Sequence, residues 1–131
     1  MKNLFLVLWS LLLWNGATAA PVEAALDIDK IVKAFEAGNS EQLSTSFNST
    51  IEITTPTSEG VYSKVQAKQV MTKFFTQYAP NSVSVLHKGT SNTGSTFVVL
   101  TYKSKTEEFR ITVFLKQSAS DYVIQEIDIE K

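Results

Sequence analysis

Cysteine is absent from this chain of 131 residues, and histidine occurs once, at position 87. Without cysteine there is no disulfide framework, so stability must come from a packed core. A zinc or iron site normally needs several nitrogen or sulfur ligands, and the carboxylates are not clustered along the sequence. No metal is therefore expected. Neither a glycine-rich phosphate loop nor a Gly-x-Ser-x-Gly elbow occurs, and nothing calls for a cofactor. Charge of one sign is also lacking. The 12 Lys and Arg and 13 Asp and Glu residues are interspersed, with no basic stripe, which argues against nucleic acid and anionic membrane as partners. No internal repeat or low-complexity segment is present.

The one long apolar run lies at the N-terminus. Lys2 precedes Leu4 to Trp14, an almost unbroken apolar stretch, and Ala17-Thr18-Ala19 forms a small-x-small site. This is the layout of a secretory signal peptide, and the run is shorter than the about 20 apolar residues of a membrane span. Residues 1–19 are therefore expected to be cleaved, with no stable membrane span afterwards. No cysteine follows that could carry a lipid anchor. The mature chain would be exported, periplasmic or extracellular, with 112 of the 131 residues and a net charge near −2 once Lys2 is removed. That length suits one small domain. Residues 20–26 read as a short leader and residues 27–131 as the domain.

Within the domain, helices come first. Asp27 can cap a helix whose apolar positions are Ile28, Ile31, Val32 and Phe35, with Gly38 at its end. Asn39 and Gln42 have capping-box spacing for a second, shorter helix carrying Leu43 and Phe47. Ile51–Thr55 alternates as a strand, Pro56 to Gly60 breaks it, and Val61-Tyr62 reads as a short return. Ser63 and Gln66 form another capping-box pattern. The main amphipathic helix follows from Lys64 to about Tyr78, with Ala67, Val70, Met71, Phe74, Phe75 and Tyr78 facing inward, and Pro80 stops it.

The last third reads as four strands, Val83–Lys88, Thr96–Lys103, Glu108–Lys116 and Tyr122–Glu130, joined by short polar turns. Connections this short make neighbours antiparallel. A turn centred on Lys105-Thr106 pairs Tyr102 with Phe109, Leu100 with Ile111 and Val98 with Val113 on one apolar face. Lys103, Thr101, Val99 and Phe97 then meet Glu108, Arg110, Thr112 and Phe114 on the other. In the last strand the expected pairs are Leu115 with Val123, Ile111 with Ile127 and Phe109 with Ile129. That register puts Gln125 on the apolar face, with Arg110–Asp128, Thr112–Glu126 and Phe114–Ile124 pairs outside. A two-residue turn at Asn92-Thr93 would put Val83, Val85 and His87 on the apolar face.

Two helices, a strand pair, a long helix and a four-strand antiparallel tail resemble the nuclear-transport-factor-2-like (cystatin-like α+β roll) superfamily. More closely, Glu59-Gly60-Val61-Tyr62-Ser63-Lys64-Val65-Gln66-Ala67, then Phe74-Phe75, Leu86-His87-Lys88-Gly89 and Phe109-Arg110 look like recurrent features of domain of unknown function 4783. That is an uncharacterised secreted family found mainly in Bacteroidetes, and the resemblance covers nearly all of Asp27 to Glu130. It implies an α+β fold in which N-terminal helices pack on a curved four- to six-stranded antiparallel sheet, forming a cone, and it implies export. It brings no catalytic residues.

Superfamily members resembling ketosteroid isomerase use a carboxylate base inside the cone, where burial tunes its pKa. Here the expected register leaves Asp128 and Glu126 outside and Asp121 in a turn. Asp27 and Asp29 begin a helix, and Glu52 alternates away from Ile51 and Ile53. No base is placed. Three polar groups are expected to look into the cone, His87, Tyr102 and Gln125, with Tyr62 and Tyr78 at the rim, where they could orient a small apolar ligand. Outside, Phe97, Val99, Phe114 and Ile124, with Leu86, would make an apolar patch rimmed by Arg110 and Asp128, suited to a homodimer or another partner. The favoured reading is a non-catalytic exported module that binds a small ligand or a protein. The alternative is a small ketosteroid-isomerase-like or dehydratase-like enzyme using His87.

Overall fold

A computed structural model describes residues 22–90 and 95–131. The expected signal peptide and the Asn92-Thr93 turn lie outside the described residues. The elements run α1 (Val22–Ala37), α2 (Ser40–Ser44), β1 (Phe47–Thr54), β2 (Glu59–Ser63), α3 (Lys64–Gln77), β3 (Ser82–Thr90), β4 (Thr96–Lys103), β5 (Glu108–Ser118) and β6 (Asp121–Glu130). The strands form one six-stranded sheet in the order β2-β1-β6-β5-β4-β3. The helices pack on one face of this curved sheet, which gives the α+β cone. No helix among the described residues is long and apolar enough to cross a membrane.

Local chemistry explains most boundaries. Gly38 adopts φ +60, donates its N–H to the Phe35 carbonyl at 3.1 Å, and is followed by an Asn39 N–H bond to Ala34 at 3.0 Å. This is a Schellman ending, which satisfies carbonyls the helix leaves open. A Cβ at Gly38 would also stand 3.0 Å from Pro80 Cδ. Gly38→Ala is therefore expected to destabilise the fold by at least about 1–2 kcal/mol, the cost of a left-handed L-residue. The melting temperature should fall by several degrees, readable by calorimetry. At α3, Ser63 Oγ accepts from the Gln66 N–H at 3.3 Å and Gln66 Oε1 accepts from the Ser63 N–H at 3.2 Å, a full capping box.

The start of α1 departs from expectation. The helix begins at Val22, so Asp27 is not its cap, and Ala24 is fully buried. Asp27 instead accepts a hydrogen bond from the Tyr122 N–H at 3.1 Å, tying α1 to β6. β1 also starts earlier than expected, at Phe47, because it lies parallel to β6, with Phe47 opposite Ile124 and Ile53 opposite Ile127. A parallel pair is possible here because α3 and four strands separate the two in sequence.

The β4–β5 register is the expected one, Tyr102 opposite Phe109, Leu100 opposite Ile111, Val98 opposite Val113 and Phe97 opposite Phe114. β6 differs. Ile111 faces Ile129 and Val113 faces Ile127, two residues from the expected pairing, so the same side chains still point inward. A bulge at Gln125 then shifts the register, so that Leu115 faces Ile124 and Lys116 faces Val123. β3 carries a second bulge at Leu86, between the Val85–Leu100 and His87–Val99 pairs. Each bulge adds a residue to one strand and bends it, which curves the sheet around the helices.

The core fills the concave side. Ile28, Ile31 and Phe35 of α1 and Met71, Phe74 and Phe75 of α3 bury against Leu100, Tyr102, Phe109, Ile111, Ile127 and Ile129. One end is an aromatic cluster. Phe74 lies 5.2 Å from Phe109 and 5.3 Å from Tyr102, and Phe35 lies 5.8 Å from Phe75. Edge and tilted contacts of this kind suit the ring quadrupole.

Candidate functional site

Side chains fill the interior of the cone. Tyr102 is fully buried, and its hydroxyl donates to the Tyr78 carbonyl at the C-cap of α3. Burial pushes the Tyr102 phenol well above its ordinary value, so it is a neutral donor. The bond satisfies a carbonyl that the helix end leaves open. Tyr102 is thus a strut between sheet and helix.

His87 is not in the cone, contrary to expectation. The bulge at Leu86 adds one residue to β3, and one residue reverses a side chain's face. Val83 and Val85 keep their inward positions opposite Tyr102 and Leu100. His87 instead stands opposite Val99 on the convex face, exposed, with its ring 5.7 Å from Phe97. Gln125 also leaves its expected place opposite Val113, because it is the extra residue of the β6 bulge, half-buried and unpaired with β5.

Tyr62 and Tyr78 do come together, at a groove between α3 and the β1–β2 turn. It is bounded by the β1–β2 turn (Thr55, Pro56, Thr57 and Ser58) and the face of α3 carrying Val70, Lys73, Phe74 and Gln77, and its volume is about 390 Å³. It continues into a shallower trough that shares Tyr62, Val70 and Lys73 and adds Gln66 and Gln69. The turn wall is internally bonded. Thr55 donates its N–H to Ser58 O at 2.7 Å, and Thr55 Oγ1 accepts from the Ser58 N–H at 3.0 Å. Tyr78 is equally fixed, its ring 4.8 Å from Phe109 and its hydroxyl accepting from Gln77 Nε2 at 3.2 Å. Sequence reading named the two tyrosines and missed the groove. Its walls come from segments that no single periodicity links.

The convex face carries the other candidates. Phe97 and Phe114, half-buried, lie with ring centroids 6.2 Å apart, and Val99 adjoins Phe97 on β4. Phe97 also covers Gly89, where a Cβ would meet Phe97 Cζ at 3.1 Å. A ring laid over an edge glycine in this way shields the strand. Ile124 does not belong to this patch, because the β6 bulge turns it into the core, fully buried opposite Leu115. Leu86 remains outside and is 59% exposed. Arg110 faces Glu130 rather than Asp128, and Asp128 faces Thr112.

Register divides this face in two. The β3–β5 half holds the aromatic residues with Lys103, Arg110 and Lys116, and one carboxylate, Glu108, opposite Lys103. The β6–β1–β2 half holds Glu126, Asp128, Glu130, Glu52 and Glu59, with Glu52 opposite Glu126 and Val61 opposite Glu52. Among the described residues, no group of three His, Cys, Asp or Glu side chains is placed to hold a metal ion. The Glu126 carboxyl is pushed above its ordinary value by burial, then by the charges of Glu52 and Asp128. Asp128 is raised by burial, then mainly by Glu130 and Glu59. A raised folded pKa means the native state holds protons more tightly than the unfolded chain. Stability from these groups is therefore present below the ordinary carboxylate values and lost as pH rises through the folded ones. The double substitution Glu126→Gln, Asp128→Asn is expected to raise the melting temperature of dilute protein at pH 7. The increase should be small, because both groups are largely open to solvent screening, and it should shrink toward pH 4. Thermal melts at the two pH values check this.

Comparison with known proteins agrees with this architecture. No curated protein matches the chain. Among solved structures, it is similar to a DUF4783 family protein from Bacteroides ovatus at 28% identity and TM-score 0.73, covering 78% of this chain and 92% of that one. A DUF4783 family protein from Bacteroides uniformis matches at 26% identity and TM-score 0.74, covering 79% and 94%. An NTF2-like protein of unknown function from Cytophaga hutchinsonii shares the fold alone, at 8% identity and TM-score 0.58 over 86% and 91%. The profile of the family described as Domain of unknown function (DUF4783) matches residues 28–130. With its helices on a curved six-stranded sheet, this chain belongs to that family and has the NTF2-like α+β fold.

Proposed function

We propose that this chain is an exported, non-catalytic binding module, periplasmic or extracellular, that acts through its convex sheet face, with a second copy of itself as the partner. The division of that face into an aromatic half and an acidic half carries the reading. Export rests on the leader pattern of residues 1–19. The non-catalytic part rests on the position of His87, since the alternative enzyme required it inside the cone, and there Tyr102 is taken up by its bond to Tyr78.

A second copy fits the face on charge and on shape. A two-fold axis running along the strands between β4 and β5 sets Phe97 of each copy over Phe114 of the other. The same rotation lays β6 of one copy over β3 of the other. Asp128, which shares a row across the sheet with Thr112, Val99 and His87, is then brought to His87 of the opposite copy. Such an isologous contact buries the apolar patch at its centre and sets Lys103 of each copy over Glu108 of the other. Light scattering on the mature chain at micromolar concentration should give the mass of a dimer, and high salt should weaken it. A monomer at every concentration overturns the reading.

A further inference from the structure

The groove between α3 and the β1–β2 turn lies away from the convex face and is a separate candidate. We propose that it binds a small amphipathic carboxylate, an apolar body ending in one acid group, with Lys73 as the anchor of that acid.

Three observations carry this. The volume of about 390 Å³ lies in the range of small-molecule sites. The walls are formed in advance, by the bonded Thr55–Ser58 turn and by a Tyr78 ring held against Phe109 and Phe74 at 4.8 and 5.5 Å, so little ordering is required on binding. The charge is of one sign. Lys73 is the lone charged residue lining either the groove or its extension, and it has no ion-pair partner among the described residues. Lys68, on the same helix, is by contrast paired with Glu41. An unneutralised ammonium beside an apolar floor of Val70 and Phe74 complements a ligand with an apolar body and a single negative charge. A neutral apolar molecule would leave the ammonium unused, and a cation would be repelled. Burying methylenes on the floor should add affinity. Full burial is worth about fourfold per methylene, and an open groove about twofold.

Isothermal titration of the mature full chain with decanoate, decanol and decyltrimethylammonium tests the proposal. Decanoate should bind saturably at one per chain, decanol at least tenfold more weakly, and the ammonium not at all. Octanoate should bind several-fold more weakly than decanoate. Lys73→Met should bring decanoate down to the level of decanol, and Lys73→Arg should keep it within about threefold, with circular dichroism confirming that both variants fold. Equal binding of decanol and decanoate, absence of saturable binding, or decanoate binding unchanged by Lys73→Met would overturn it. Phe114→Asp, on the opposite face, should retain decanoate binding, so a failure of the convex-face reading is distinguishable from a failure here.

Discussion

Phe114→Asp is expected to dissociate the proposed dimer, weakening it at least about 100-fold, or about 3 kcal/mol. Phe114 lies at the centre of the convex aromatic half, beside Phe97 and opposite Glu126 across the β5–β6 ladder. In the proposed two-fold contact both copies carry the change, so each dimer loses two aromatic contacts. It also acquires two carboxylates in a desolvated centre, next to one that already repels its neighbours. Val61→Asp provides the control. Val61 is 70% exposed on β2, at the far edge of the acidic half, beyond the overlap that the axis between β4 and β5 produces. Sedimentation equilibrium should give a monomer for Phe114→Asp and a dimer for Val61→Asp. An unchanged association constant in the first, or equal loss in both, would sink the proposed arrangement.

Tyr102→Ala should lower stability by about 3–5 kcal/mol, as loss of a buried aromatic does. The ring touches Phe35, Phe74, Phe75 and Phe109, so the cavity would open at the junction of α1, α3 and the sheet. The variant also strands the Tyr78 carbonyl at the end of α3. Tyr102→Phe separates the two contributions. It keeps the ring and removes the hydroxyl, and should cost about 1 kcal/mol. Urea denaturation of the three proteins measures both numbers. A phenylalanine variant as unstable as the alanine one would mean that the hydrogen bond, not ring packing, holds the cluster together.

Much of the fold was legible because local rules and tertiary demands agree. The Ser63–Gln66 capping box lies within four residues, so its spacing alone marks the start of α3. The Gly38 ending needs only a residue tolerant of positive φ. The β4–β5 register follows from a short turn and a period of two, and the six apolar residues expected on one face of that hairpin are all buried. Less legible were features set by distant chain. α1 reaches back to Val22 because Ala24 finds a buried place in the assembled core, and Asp27 is drawn from capping to β6 by the Tyr122 N–H.

The candidate site residues divide along the same line. Phe97, Val99, Phe114 and Arg110 lie where alternation puts them, because β4 and β5 pair without a bulge. His87, Gln125 and Ile124 do not, because each lies at or just beyond a bulge, where a single extra residue reverses the faces. Alternation along a strand carries no mark of that extra residue, since the bulge answers to the curvature of the whole sheet. The sequence by itself therefore determined the α+β order, the caps that open α2 and α3, the Gly38 ending of α1, the core-facing sets of the helices and of the β4–β5 hairpin, and the aromatic half of the convex face. Only the tertiary structure decided that the cone is filled, that His87 faces out, that five carboxylates share the opposite half, and that Lys73 overlooks a groove. Faces follow from the period of neighbouring residues. Bulges, grooves and charge halves follow from which distant strands and helices come to lie together.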